Sequence, residues 1–185
     1  MKAIGCAEYL LVPALDNDPS IAAQQIDQAI SACENPLLVG SSLGGFYATH
    51  FAQKHQLPAV LINPAVAPHT LFAGRLGLQR NYHDGHEWEL TASHVKALEH
   101  LDVAPPQAGD RIEVWLQTGD ETLDYRAAVR YYQGCLIDLE EGGDHSYQGF
   151  VHKIPKILQR AGISSSLWRD FDFSTLETRT HGTDL

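Results

Sequence analysis

The segment Leu37-Leu38-Val39-Gly40-Ser41-Ser42-Leu43-Gly44-Gly45 decides how this chain is expected to fold. Its first three residues are apolar and typical of a short buried strand, and residues 43–55 follow with a helical pattern. Residues 40–44, at the joint between the predicted strand and that helix, match the pattern G-x-S-x-G. A serine in this pattern occupies a strained turn, and small neighbours let the strand and the helix approach closely. We expect that space to come from three glycines, Gly40, Gly44 and Gly45.

The predicted turn places Ser42 at the carboxyl end of a strand, where ligands commonly bind in α/β folds. Its hydroxyl would point beyond the carboxyl end of the strand, toward the N-terminus of the following helix. A glycine-rich turn that only packs, or one that cradles a phosphate, would have the same local pattern. The partners that Ser42 would need for chemistry must therefore be sought elsewhere in the chain.

Short apolar runs alternate with segments of helical spacing along most of the chain, which is typical of a parallel sheet flanked by helices. The predicted strands are Tyr9–Val12, Leu37–Val39, Ala59–Ile62, Ile112–Gln117 and Cys135–Leu139. The predicted helices are Ser20–Cys33, capped by Ser20, followed by Leu43–His55, Tyr125–Tyr132 and Phe150–Arg160. The sequence therefore predicts the α/β class, with a mostly parallel sheet and helices on both faces.

The 185 residues suit one domain, because domains commonly have roughly 100 to 200 residues. We expect a single domain over residues 1–161, with a small lid insertion at about 64–109, where Pro, Gly and aromatic residues interrupt the alternation. Residues 162–185 are rich in Ser, Thr and Asp, and we expect a loosely ordered tail.

Composition excludes several classes of function. The net charge of −10 repels phosphate backbones and anionic lipid headgroups, so we expect neither nucleic-acid nor membrane partners. The apolar runs are far shorter than the roughly 20 residues that a membrane span needs. Three widely spaced cysteines form no CxxC pair, and with the absence of a signal-peptide pattern they favour a cytoplasmic protein.

Two further residues have the types and positions that would activate Ser42. A serine hydroxyl is a weak nucleophile at neutral pH and needs a histidine base that a carboxylate orients. Asp120 follows the predicted strand Ile112–Gln117, and His145 follows the next predicted strand in a glycine-rich loop. The order Ser, Asp, His is the order expected for a nucleophile in this kind of strand-to-helix turn. We expect the three side chains to meet at one edge of the sheet.

Other residues compete for these roles. Glu121 or Asp124 could orient the histidine in place of Asp120, although Asp124 is expected inside the next helix. Asp144 is more suited to shaping the loop that holds His145, and His145 itself could be an ordinary loop histidine. The residue types alone leave these alternatives open.

The insertion contains one candidate metal motif, and its residues do not favour a metal site. His83-Asp84-Gly85-His86-Glu87 contains two histidines and carboxylates, but the glycine weakens a helix there and no third histidine has a standard spacing. We predict no metal and no cofactor. The insertion instead has apolar residues that could form a dry pocket over Ser42, namely Leu71, Phe72, Tyr82 and Trp88.

Four segments together resemble the YqiA-like esterases, a small bacterial branch of the α/β-hydrolase superfamily. They are Gly40 to Thr49, Asn63-Pro64-Ala65-Val66, Thr118 to Tyr125 and Glu141-Gly142-Gly143-Asp144-His145. The resemblance implies a compact α/β-hydrolase fold and a serine esterase, with Ser42 as nucleophile, Asp120 as orienter and His145 as base. It also implies a small-molecule substrate, either a carboxylic ester or an acyl thioester such as acyl-CoA.

One part of that family's pattern is not found before Ser42. The resemblance implies an N-terminal strand that ends in a His-Gly-Phe loop, which donates a backbone N–H to the oxyanion hole. The His-Gly pair of this sequence is His181-Gly182, near its end. We therefore expect that Met1 is an internal residue of the natural protein. With this sequence alone, the Leu43 N–H would be the donor to the oxyanion, and a catalytically weak or silent binding protein is the alternative function. The sequence does not indicate an oligomeric state.

Overall fold

The computed structural model describes residue 1 and residues 4–80, 85, 87–107 and 111–179. Its helices are α1 (Pro19–Ser31), α2 (Leu43–His55), α3 (Pro68–Phe72), α4 (Ala92–Leu101), α5 (Tyr125–Tyr131) and α6 (Ile154–Arg160). Its strands are β1 (Leu38–Ser41), β2 (Ala59–Ile62), β3 (Gly77–Arg80), β4 (Glu87–Leu90), β5 (Ile112–Gln117) and β6 (Leu136–Glu140). Short 3₁₀ helices cover Ala7–Tyr9, Phe150–Lys153, Ser165–Leu167 and Phe173–Arg179.

The central sheet has four parallel strands in the order β1-β2-β5-β6. Val39 pairs with Val60, Leu61 with Val114, and Trp115 with Asp138. Since all four strands run in the same direction, the loops that follow them emerge at one edge. That edge therefore holds the residues that come directly after β1, β2, β5 and β6.

Helices cover both faces of this sheet, which confirms the predicted fold class. On one face, apolar residues of β2 and β5 pack against α2 and α5, including Leu61, Val114, Ala52 and Ala128. On the other face, Val60, Ile62 and Trp115 pack against Tyr147, with Ile157 of α6 beside them. The alternation along β5 explains the division, because successive side chains of a strand point to opposite faces.

The predicted insertion contains α3, the β3–β4 hairpin and α4. The hairpin is antiparallel and separate from the central sheet. Leu98 of α4 is buried in a cluster with Ala22 of α1 and Tyr47 of α2, and Phe72 of α3 packs against the same cluster. The insertion therefore forms an additional layer against α1 and α2.

The predicted strand at Tyr9–Val12 is wrong. The structure ends a 3₁₀ helix at Tyr9 and continues as unpaired chain, with Val12 76% exposed. Apolar and β-branched residues favour an extended backbone, but a strand also needs an adjacent edge with which to pair. The start of α1 also differs, because Asp18 rather than Ser20 caps it by accepting a hydrogen bond from the Ser20 N–H.

Residues 163–179 lie in short turns and 3₁₀ helices that a few side chains anchor. Trp168 donates from its indole N–H to the Ile163 carbonyl at 3.1 Å. Phe173 is buried and its ring meets that of Phe171 edge to face. Across the part of the chain that is described, no helix combines the length and the apolar character needed to cross a membrane.

Candidate active site

Ser42 occupies the turn between β1 and α2 in an unusual backbone conformation. Its φ of 54° and ψ of −122° lie outside the regions that side-chain-bearing residues usually adopt. The Ser42 N–H donates to the Ile62 carbonyl, and the Ser42 carbonyl accepts from the Gly45 and Ala65 N–H groups. These bonds to β2 and to the start of α2 hold the strained turn in place.

Gly40 makes the close approach of β1 and α2 possible, and Gly45 makes possible the close approach of α2 to the segment after β2. A Cβ on Gly40 would lie 2.2 Å from the Gly44 carbonyl oxygen, and a Cβ on Gly45 would lie 2.7 Å from the Cβ of Pro64. Gly44 differs from the prediction, because a Cβ there would meet nothing within 4 Å. The G-x-S-x-G pattern is present, but only its first glycine is required by backbone contact.

Substituting Gly40 with Ala is expected to prevent or severely weaken folding, since the added methyl would overlap backbone atoms of Gly44 that cannot move independently of α2. Gly44→Ala is the matched control, and it should fold with stability equal to or up to about 1 kcal/mol above the wild type, as alanine is the better helix former. Urea unfolding followed by circular dichroism measures both. Equal stabilities for the two variants would contradict this account of the turn.

Asp120 lies just beyond β5, and its side chain is 2% exposed. Its Oδ1 accepts hydrogen bonds from the Thr122 N–H at 2.9 Å and the Leu123 N–H at 2.8 Å. Two backbone donors fix the orientation of the carboxylate and satisfy it in a buried position. The carboxylate therefore presents a defined face to the edge of the sheet.

His145 lies in the loop after β6, and its side chain is 22% exposed. Two glycines precede it at positive φ, Gly142 at 78° and Gly143 at 73°. Glycine adopts this left-handed region without a steric cost, so the chain can turn back sharply from β6. The turn directs the imidazole toward Asp120 and Ser42.

The three predicted residues meet at hydrogen-bond distance. His145 Nε2 lies 3.0 Å from Ser42 Oγ. His145 Nδ1 lies 3.0 Å from Asp120 Oδ1 and 2.9 Å from Oδ2. When the carboxylate accepts the Nδ1–H, the neutral imidazole has an acceptor at Nε2 that faces the serine hydroxyl. This arrangement can remove a proton from Ser42.

The competing carboxylates have other contacts. Glu121 accepts the backbone N–H of His145 at 3.0 Å and does not hold its ring. Asp124 caps α5, where it accepts from the Arg126 N–H, instead of lying inside that helix as predicted. Asp144 Oδ2 accepts from the Gln148 side chain within the loop. Among the predicted orienters, Asp120 is the one that contacts the imidazole.

Titratable groups around the site have pKa values shifted from their usual range, with identifiable causes. Hydrogen bonds from its own N–H and from the His145 N–H lower the pKa of Glu121. Burial alone would raise the pKa of Glu140, but hydrogen bonds from Lys153 and Gln117 outweigh it and lower that pKa. Burial raises the pKa of Tyr147 to about 12. Glu140 is therefore an ionised acceptor at neutral pH, and Tyr147 a neutral phenol.

The residues predicted to form a pocket over Ser42 differ in their burial and in their neighbours. Phe72 is partly buried against the same cluster as Leu43, whereas Leu71 is largely exposed. Trp88 lies on β4 with its ring 5.9 Å from that of His94. Tyr82 lies outside the described residues, as do His83, Asp84 and His86 of the candidate metal motif.

The Leu43 N–H, which was predicted to donate to the oxyanion, belongs to the first turn of α2, where N–H groups have no acceptor within the helix.

In the described ranges, no group of three or more His, Cys, Asp or Glu side chains is placed to hold a metal ion.

Two buried amide side chains near the site were not predicted from the sequence, Asn63 after β2 and Gln117 at the end of β5. Asn63 lies within one of the motifs that carry the family resemblance, which was a signal for it. Gln117 had no signal beyond its place at the end of a buried strand.

Comparison with known families and structures adds an independent finding. A family model described as "Uncharacterised protein family (UPF0227)" matches residues 2–161. This match confirms the resemblance that the sequence motifs indicated. It covers the central sheet, the insertion and the loops that carry Ser42, Asp120 and His145.

Several solved structures have a similar fold. Alpha/beta hydrolase domain-containing protein 10 from mouse is 16% identical with a TM-score of 0.60, and the alignment covers 78% of this chain and 71% of that one. Est1E from Butyrivibrio proteoclasticus with ferulic acid bound is 16% identical with a TM-score of 0.61, covering 78% and 68%. The esterase domain of a Rhodothermus marinus protein is also 16% identical, with a TM-score of 0.53 and coverage of 76% and 68%. At this identity the likeness establishes the α/β-hydrolase fold.

Proposed function

Because the chain belongs to the UPF0227 family, we propose that it is a serine hydrolase that cleaves carboxylic esters or acyl thioesters. The observation that carries the proposal is the continuous set of contacts from Asp120 through His145 to Ser42. The likeness to a structure named as an esterase domain supports the choice of ester bonds. The substrate would be a small molecule, with an acyl-CoA-like thioester as one candidate.

The proposed mechanism transfers an acyl group to water through Ser42. His145 Nε2 takes the proton of the Ser42 hydroxyl as its Oγ bonds to the substrate carbonyl carbon. His145 then donates that proton to the departing alcohol or thiol, which leaves an acyl-enzyme. A water molecule gives a proton to the same imidazole as it attacks the acyl carbon, and the imidazolium then returns that proton to Ser42 Oγ as the acid is released.

The roles of the surrounding groups follow from their positions. Asp120 would hold the Nδ1–H tautomer and stabilise the imidazolium while His145 carries the proton. The Leu43 N–H, at the start of α2, would donate to the oxyanion. The strained turn at Ser42 would keep its Oγ exposed to the substrate, and no cofactor is required by these steps.

A fluorophosphonate probe tests this proposal directly, because it phosphonylates a serine that a neighbouring base activates. We expect the wild type to take up one probe per chain, at Ser42, and Ser42→Ala to take up none. Ser41→Ala is the matched control, since it removes a neighbouring hydroxyl on β1 and should leave labelling unchanged. Intact-protein mass spectrometry gives the stoichiometry, and circular dichroism shows that each variant is folded.

A folded wild type that does not react at Ser42 would disprove the proposed hydrolase. The alternative function, a silent binding protein on the same fold, would then apply. For a labelled wild type, kcat/KM for paired oxygen esters and thioesters of the same acyl chain identifies which of the two bonds it prefers.

A further inference from the structure

Two buried side-chain amides lie beneath the loop that carries His145. Asn63 follows β2 and is 2% exposed, and Gln117 ends β5 and is 3% exposed. The hydrogen bonds of these two side chains go to neither the hydroxyl of Ser42, the carboxylate of Asp120 nor the imidazole. Buried polar groups are kept in proteins when they are hydrogen-bonded, so their partners indicate what they do.

Gln117 makes four hydrogen bonds with residues on either side of His145. Its Oε1 accepts from the Asp144 N–H at 3.1 Å and from the Gln148 N–H at 2.9 Å. Its Nε2 donates to the Gln148 carbonyl at 2.8 Å and to Glu140 Oε2 at 3.0 Å. Both the oxygen and the NH₂ group of the Gln117 amide therefore form hydrogen bonds, and every partner belongs to residues 140–148.

Asn63 holds the same loop from the side of β2. Its Nδ2 donates to the Asp144 carbonyl at 3.0 Å and to the His145 carbonyl at 3.2 Å. Its Oδ1 accepts the Gln117 N–H at 3.0 Å. The orientation of the amide is fixed, because one end faces an N–H and the other faces two carbonyl oxygens. Asn63 therefore links the His145 backbone to both central strands.

The loop has little rigidity of its own. Gly142 and Gly143 are both at positive φ, and glycines lose the most backbone freedom when they are ordered. A Cβ on Gly143 would lie 1.9 Å from Gln117 Oε1, so the backbone rests directly against the amide. The path of the His145 backbone then depends on groups outside the two glycines, namely the two amides together with Glu121, which accepts the His145 N–H.

We infer that Asn63 and Gln117 are positioning residues that fix His145 Nε2 at the distance from Ser42 Oγ that proton transfer needs. This inference rests on the proposed function. A displacement of about 1 Å at a reacting centre can cost about 100-fold in rate, and hydrogen bonds on both sides of His145 limit that displacement. The amides act through the backbone of His145 and not on the substrate.

Asn63→Asp is the variant that tests the inference, because it keeps the size of the side chain and the acceptor toward the Gln117 N–H. It replaces the Nδ2 donor with an oxygen that faces two carbonyl oxygens. We expect kcat per labelled active site to fall about 10-fold to 100-fold, with KM little changed. Asn35→Asp, at an exposed position, is the matched control for the charge change and should have the activity of the wild type.

The pH profile separates positioning from a merely structural role. The carboxyl of Asn63→Asp would have a raised pKa, because it is buried and faces the carbonyl oxygens of Asp144 and His145. The titratable groups on the surrounding loops are the acidic Asp120, Glu121, Glu140 and Asp144 and the basic His145 and Lys153, of which His145 is hydrogen-bonded to Asp120 and Lys153 is paired with Glu140. Once protonated, this carboxyl can donate one hydrogen bond to the loop carbonyls again, so the variant regains part of the contact that the wild type has. The ratio of variant to wild-type kcat should therefore rise as the pH falls. A ratio that is independent of pH would contradict the inference.

Gln117→Glu is the second variant, and we expect it to lower kcat per labelled site in the same way, because it loses both donors and faces Glu140. A wild type without Ser42-dependent labelling would refute the proposed function itself. An active wild type with unchanged kcat per labelled site in both variants would refute only the positioning inference. If neither variant folds, the amides are structural and the inference is equally overturned.

Discussion

His145→Ala is expected to lower kcat about 10⁶-fold, the size of effect known for loss of the base from a triad that acts as a unit. The imidazole is the group at hydrogen-bond distance from Ser42 Oγ, so its removal leaves a hydroxyl that is a weak nucleophile at neutral pH. Hydrolysis of an activated aryl ester measures the change, together with the rate of fluorophosphonate labelling. Both rates should fall together, since both begin with the same proton transfer.

His100→Ala is the control for this prediction, because His100 is an exposed histidine on α4. It should retain the wild-type kcat and labelling rate. A loss of less than about 10-fold in His145→Ala would mean that another group serves as the base, since general-base catalysis alone contributes about 100-fold or more. In that case the contact between His145 and Ser42 would be structural.

Asp120→Asn is expected to lower kcat about 10⁴-fold by selecting the wrong imidazole tautomer. Asp120 Oδ1 accepts two backbone N–H groups, so the amide oxygen of the variant should keep that place. The NH₂ group would then face His145 Nδ1 and donate to it. The imidazole would carry its proton on Nε2, with an N–H directed at Ser42 Oγ in place of an acceptor.

Steady-state kinetics and the proton NMR signal of the imidazole N–H groups measure this effect. Asp124→Asn is the matched control. Asp124 was an alternative candidate for orienting His145, but its side chain caps α5. It should keep the wild-type kcat, with a modest loss of stability of up to about 1 kcal/mol. If Asp124→Asn, and not Asp120→Asn, removed activity, the assignment of the orienter would be wrong.

The sequence alone predicted the bounds of those strands and helices whose patterns lie within the element itself. The strands Ala59–Ile62 and Ile112–Gln117 and the helix Leu43–His55 have the bounds that were predicted, because continuous apolar runs and a glycine-bounded turn are local features. The same is true of the chain order of Ser42, Asp120 and His145. Three residues that each follow a parallel strand must emerge at one edge of the sheet, so their proximity follows from topology.

Other features depend on partners that are distant in the sequence. The apolar run at residues 9–12 has the composition of a strand but lies unpaired and exposed, since pairing needs an available edge and not only propensity. Which glycine of the turn is essential was likewise decided by close approach, at Gly40 and not at Gly44. The insertion's position against α1 and α2 could not be read from its irregular sequence.

The identity of the Ser42 turn and of its two partner loops was thus determined by the sequence, because residue type and order along parallel strands define them. Only the tertiary structure decided which carboxylate holds the imidazole and which amides hold its loop. Asp120 was preferred from its place after a strand, yet Glu121 and Asp124 have the same charge and nearly the same position in the chain. Hydrogen bonds have a range of about 3 Å, so choices among neighbouring residues depend on packing that sequence spacing does not specify.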